Sequence, residues 1–193
     1  VLEMNRRLTA DKGFTLIELM VTVTLVAIAL ALGVPSFTTF QRNAELTSAT
    51  NSLIAALNAA RGEAMKRGRY AMVVPTDGAN WNSGWVVFVD VDRTGSYTAN
   101  DLTILTQEPP PSYLTVTPTP ASSLYIMYDA SGYSKTTTGS FGAWTFEIAR
   151  NDVAGTGSLA QTRRIKIAST GRVRVCTPKT PTDTRCSASA SQL

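Results

Sequence analysis

From Leu19 to Val34 the chain carries no charge, and only Thr22 and Thr24 are polar. Counted from Phe14 the segment has 21 residues, about 31 Å of helix, enough to cross the hydrocarbon core of a bilayer. One residue breaks the pattern. Glu18 places a carboxylate at the start of the apolar helix, where an unpartnered acid costs about 3 kcal/mol or more. Cutting the chain after Gly13 would supply a mate, because Phe14 would then carry a terminal ammonium. That amine lies about one turn from Glu18 in its own helix, and it can also meet the Glu18 of a neighbouring subunit.

Past Pro35, which lacks an N–H and should kink the helix or loosen the preceding turn, the period changes. Leu46, Thr50, Leu53, Leu57, Ala60 and Ala64 recur every three or four residues, and Ile54 and Met65 broaden the stripe. This spacing predicts an amphipathic helix that ends at Arg67 with Gly68 as its cap. If continuous from Phe14, the helix is about 80 Å long. Short β-prone runs then follow at 70–74, 85–91, 102–106, 114–117, 124–128, 144–148, 163–168 and 172–176, separated by turn residues. Pro109-Pro110-Pro111 reads as a stiff loop, and Pro118 and Pro120 cannot lie in central strands. Gly139–Gly142 and Gly155–Gly157 read as further loops.

The stretch Gly13-Phe14-Thr15-Leu16-Ile17-Glu18-Leu19 resembles the class III signal of type IV pilins and pseudopilins. The resemblance implies cleavage after Gly13 by a prepilin peptidase, methylation of the new terminus at Phe14, and a docking role for Glu18. Pro35 falls where many pilins bend their helix. The fold implied is α+β and type IV pilin-like, of the GspH/FimT type: a long N-terminal helix packed on an antiparallel β head. The expected organisation is a leader at 1–13, a membrane or filament-core helix at 14–36, an amphipathic helix at 37–68, a head at 69–186 and a disordered tail at 187–193. The charged helix end, with Arg61, Glu63, Lys66 and Arg67, resembles that of GspH/FimT-type proteins and equally suits a solvated terminus.

Charge and composition narrow the function. The net charge is +4, but residues 150–185 hold eight Lys or Arg and two Asp. The basic character therefore belongs to the C-terminal end. Arg6, Arg7 and Lys12 precede the apolar run and keep the N-terminus cytoplasmic, which places the head across the membrane. The sequence does not begin with Met, and Met4 is a candidate start. Removing leader and membrane helix leaves about 150 residues, enough for one domain with a core. There is no histidine, so a Ser/His/Asp set is impossible and the commonest metal ligand is missing. No phosphate loop occurs, and no enzyme and no cofactor are expected. Asp90, Asp92, Thr94, Gly95 and Asp101 match positions one, three, five, six and twelve of a calcium loop. Thr94 is a poor ligand, Asp101 is shorter than the usual glutamate, and the flanks read as strands. An acidic β-turn is the better reading of this weak metal candidate.

The most informative soluble segment is 163–176. Ile165 and Ile167 alternate with Arg164 and Lys166, and Val173 and Val175 with Arg172 and Arg174. Only a three-residue loop, Ser169-Thr170-Gly171, puts both apolar sets on one face. It pairs Ile167 with Val173 and Lys166 with Arg174, and gives Gly171 the left-handed position. The result is an exposed basic ladder of Arg164, Lys166, Arg172 and Arg174. Such a ladder suits a polyanion, but by physics alone an edge strand kept soluble by charge is the better reading. Gly171-Arg172-Val173-Arg174 resembles the G-R-x-R motif of FimT-like minor pilins, some of which bind DNA for natural transformation. FimU-like minor pilins, whose role is pilus assembly, carry similar endings. No aromatic lies within 163–186, which argues against base stacking. Cys176 and Cys186 should pair in an oxidising compartment. The loop of 11 residues would contribute about 3 kcal/mol and hold Lys179 and Arg185 beside the hairpin.

Together these features predict a minor pilin of a type IV pilus, near the tip, with DNA as a further partner. A GspH-like pseudopilin of a type II secretion system is the alternative. Expected partners are other pilins, the prepilin peptidase, the inner-membrane assembly platform and the membrane itself, through residues 14–36. The expected location is the inner membrane with the N-terminus cytoplasmic, then the periplasm or a surface pilus.

Overall fold

The computed structural model describes residues 13–189. The expected leader lies outside them except for Gly13. Contacts divide the chain into two units, Val1–Arg42 and Asn43–Leu193. One helix, α1 (Leu16–Arg67), runs through the boundary and continues through position 35.

In the first unit Thr15 caps α1: its Oγ1 accepts the Glu18 N–H at 3.2 Å. Thr15-x-x-Glu18 has the spacing of a capping box, so Glu18 also sits where a carboxylate favours a helix start. The hydroxyls of Thr22 and Thr24 donate to Leu19 O and Met20 O at 2.9 and 2.8 Å, which removes their objection to an apolar medium. From Leu16 to Phe40 the large apolar side chains are exposed, Ile17 by 67 % and Phe40 by 70 %. An apolar surface of this extent is stable only when lipid or other subunits cover it. Among the described residues, α1 is the one helix long and apolar enough to cross a membrane.

The second unit holds the core. Leu46, Leu53, Leu57, Ala60 and Ala64 are fully buried, and Thr50 is 3 % exposed; the Thr50 hydroxyl is satisfied by Leu46 O at 2.7 Å. Ile54 packs against this stripe, whereas Met65 is 53 % exposed and lies off it. α1 stops at Gly68, whose φ of 64° lets the Arg69 N–H reach back to Ala64 O at 3.3 Å, a Schellman ending.

Among the described residues nine strands follow: β1 (Ala71–Pro75), β2 (Trp85–Val89), β3 (Leu102–Gln107), β4 (Leu114–Thr119), β5 (Ile126–Tyr128), β6 (Ser134–Lys135), β7 (Trp144–Arg150), β8 (Thr162–Ile167) and β9 (Val173–Cys176). They form two antiparallel sheets, ordered β3-β2-β1-β5-β6 and β4-β7-β8-β9. Pro118 lies in β4, an edge strand, where no neighbour asks for its missing N–H. The short β6 falls outside the β-prone runs, and Gly155–Gln161 forms a 3-10 helix rather than a plain loop.

The helix stripe packs with the inner faces of both sheets. Val73, Val87, Ile126 and Tyr128 come from the first, and Val116, Phe146, Ile148, Ile165 and Ile167 from the second. Trp81 joins them edge-on to Phe146, with ring centroids 4.6 Å apart, and its indole N–H donates to Ser123 O at 2.8 Å. The helix stripe and one apolar face of each sheet are buried in this three-way contact, while Met72, Phe88 and Met127 form a second, smaller cluster on the other face of the first sheet.

Candidate functional site

The basic hairpin has the expected register. Lys166 lies opposite Arg174 and Ile167 opposite Val173. The loop closes through Ala168 N–H to Arg172 O at 2.9 Å and Gly171 N–H to Ala168 O at 2.8 Å. Gly171 has φ 78°, in the left-handed region.

A second constraint on Gly171 is tertiary. A Cβ built there would lie 2.0 Å from Gly132 O and 2.9 Å from Arg61 Nε. Arg61 leaves the charged helix end and donates to Gly132 O at 2.9 Å and to Thr170 O at 3.2 Å. It ties helix, β5–β6 turn and β8–β9 turn together. Sequence reading gave Arg61 no such role, because its acceptors are backbone carbonyls 71 and 109 positions away. Lys66 and Arg67 instead pair with Glu63.

The exposed four-residue ladder is corrected by the structure. Arg164 is 9 % exposed and Lys166 fully buried. Arg164 Nε lies 2.6 Å from Glu147 Oε2 on β7, and its NH1 donates to Cys186 O at 2.6 Å. Lys166 Nζ is 3.3 Å from Ser187 Oγ. Burial holds the Lys166 ammonium below the ordinary lysine range, and the positive charges of Arg174 and Arg164 add to this.

The chain around the disulfide covers both cations. Cys176 and Cys186 are bonded, with Cα atoms 5.8 Å apart. The bond returns the chain over the outer face of β8. Asp183 shapes the loop by accepting from the N–H groups of Lys179, Arg185 and Cys186, and these bonds hold its carboxyl below the usual range. Residues 187–189, at the start of the expected tail, lie against the site: Thr145 Oγ1 donates to Ser189 O at 3.3 Å. The rest of the expected tail lies outside the described residues. Val175 also departs from expectation. It is 47 % exposed, because β9 is an edge strand with little packed against that end.

What remains open to solvent is smaller and sharper. Arg172, Arg174, Lys179 and Arg185 are exposed, and Arg174 NH2 donates to Arg185 O at 3.0 Å. Among the described residues, no carboxylate forms an ion pair with any of the four. Arg172 and Arg174 line a recess of about 270 Å³ with Ala168, Ser169 and Thr170. Two guanidinium groups with unused donors at a concave turn fit an oxyanion such as a phosphodiester.

The acidic turn behaves otherwise. Oxygens of Asp90, Asp92 and Asp101 approach within 4.8 Å of one another. All six accept hydrogen bonds, from Val91, Thr94, Gly95 and Thr98. The cluster holds its own loop, as an acidic β-turn does.

The chain resembles known proteins in both units. A family model for the prokaryotic N-terminal methylation motif matches residues 8–34, which contain Gly13, Phe14 and Glu18. No curated protein matches the sequence. The type IV minor pilin FimU of Pseudomonas aeruginosa shares the fold, with a TM-score of 0.54 at 21% identity over 73% of this chain and 98% of that one. The minor pseudopilin EpsH of the Vibrio cholerae Type 2 Secretion System does so with a TM-score of 0.50 at 15% identity, over 70% of this chain and 99% of that one. The model of the type II transport protein GspH covers residues 49–171, so it ends at Gly171 and leaves Arg172, Arg174 and the disulfide beyond it. A match over more than half the sequence, agreeing with the fold and with the methylation motif, makes this chain a member of the GspH family of minor pilins and pseudopilins.

Proposed function

We propose that this chain is a minor pilin of a type IV pilus that contacts extracellular DNA through Arg172 and Arg174. The observation that carries the DNA reading is the pair itself: two exposed arginines, unneutralised among the described residues, beside a turn to which Arg61 is hydrogen-bonded. Lys179 and Arg185 extend the basic surface. Gly171 shapes the turn. Binding is phosphate-led and largely blind to sequence. Arg172→Gln with Arg174→Gln, both exposed, should leave the fold intact. The pair should lose about tenfold in DNA affinity, and the slope of log affinity against log salt should fall by about two. A salt-titrated mobility shift reads both quantities, and unchanged retention refutes the role.

Assembly rests on Glu18. Prepilin peptidase cuts after Gly13 and the terminus at Phe14 is methylated. The residues 14–36 then hold the subunit in the inner membrane until the assembly platform passes it to neighbouring pilins. Glu18→Leu should be processed normally yet enter filaments poorly. Immunoblots of sheared filaments test this, and normal incorporation counts against the charge pair. The GspH family match favours a second reading, a minor pseudopilin of a type II secretion system. Deletion separates the two: lost exoprotein secretion supports the second, lost piliation or transformation the first.

A further inference from the structure

Two exposed aromatic rings lie on a segment whose backbone meets the arginine turn at Ser134, although no aromatic lies near that turn in sequence. Tyr133 and Phe141 are 42 % and 61 % exposed. Their centroids lie 5.6 Å apart, edge to face, and Lys135 Nζ is 3.6 Å from the centre of the Phe141 ring.

Backbone contacts fix this pair to the turn. The Ser134 N–H donates to Ser169 O at 3.0 Å, and the Gly142 N–H to Ser134 O at 3.0 Å. Gly132 touches Gly171, and Arg61 bridges Gly132 and Thr170. Tyr133 lies between two residues that both meet the turn. Ser134 is fully buried, and strand alternation sends Tyr133 and Lys135 the other way. Phe141 bridges to Lys135, the residue after Ser134, so it is tied to the same segment.

We propose that Tyr133, Lys135 and Phe141 join Arg172 and Arg174 in one surface that prefers single-stranded DNA. This rests on the phosphate reading above and adds a base-recognition element to it. Proteins that hold single strands combine cations along the backbone with rings on which bases stack. Bases in a duplex are already stacked and cannot use such rings. Lys135 has a second counter-charge, Asp129 Oδ2 at 4.0 Å. Its ammonium therefore keeps a partner when a base takes its place on Phe141.

The test compares oligo(dT) with a duplex of the same length by fluorescence anisotropy, using the full chain in uncharged detergent. Tyr133→Ala with Phe141→Ala should weaken oligo(dT) binding about tenfold while duplex binding changes less than about twofold. Phe141→Leu keeps an apolar side chain and loses the ring, and should weaken oligo(dT) alone. Arg172→Gln with Arg174→Gln should weaken both ligands. If the aromatic variants bind oligo(dT) like wild type while duplex binding persists, stacking is overturned and the phosphate reading stands. If wild type binds neither, both fall. Aromatic variants that bind DNA normally but fail to enter filaments would assign the rings to subunit contact, which also overturns the proposal.

Discussion

Gly171→Ala should destabilise the second unit by about 3 kcal/mol or more and displace the β8–β9 turn. Two effects add. A non-glycine residue at φ 78° bears about 1 kcal/mol of backbone strain. The new methyl would also lie 2.0 Å from Gly132 O, a backbone atom that no rotamer change can move aside. Overpacking of this kind costs about 1–3 kcal/mol. Gly78→Ala is the control, since it shares a positive φ of 74° but nothing lies within 4 Å, and it should lose only the strain. The buried Trp81, Trp85 and Trp144 report unfolding by fluorescence in a urea titration. Equal losses at positions 171 and 78 would mean that the Gly132 contact is yielding and the turn is not locked. The glycine of the G-R-x-R sequence therefore has a structural duty, separable from the arginines that follow it.

Replacing Cys176 and Cys186 together by serine should cost about 3 kcal/mol, from the restored freedom of the unfolded loop. In a chain of this size that lowers the melting temperature by about 6–12 °C. A second consequence follows from the contacts. Arg164 gives its NH1 to Cys186 O and Lys166 reaches Ser187, so freeing the loop uncovers both cations. Trypsin should then cut after Arg164 and Lys166 faster than in the oxidised protein, as fragment masses would show. An unchanged melting temperature with both sites still protected would mean that the tail is held without the bond.

Much of the fold was legible in the sequence because local period and burial agree. The stripe from Leu46 to Ala64 is buried as its spacing requires, and most strands fall on the β-prone runs. The hairpin register followed from one constraint, that Ile165, Ile167, Val173 and Val175 share a face, although Val175 stays half exposed at the sheet edge. β6 escaped notice because two residues without an apolar pattern carry no periodic signal. The site was legible in part. Arg172 and Arg174 are exposed as expected, but Arg164 and Lys166 are not, since alternation names the outer face without saying what covers it. Glu147, Cys186 and Ser187 meet that face, and Arg61 anchors the adjoining turn, all from far along the chain.

The sequence alone determined what depends on neighbours a few positions apart: the apolar helix with its acid at Glu18, the amphipathic stripe, the strands, and a glycine turn before two arginines. Only the tertiary structure decided which cations meet water. That choice rests on contacts across tens of residues, between Cys176 and Cys186, Arg61 and Thr170, and Ser134 and Ser169. Side-chain charge is written in composition, but its exposure is set by what the folded chain lays over it.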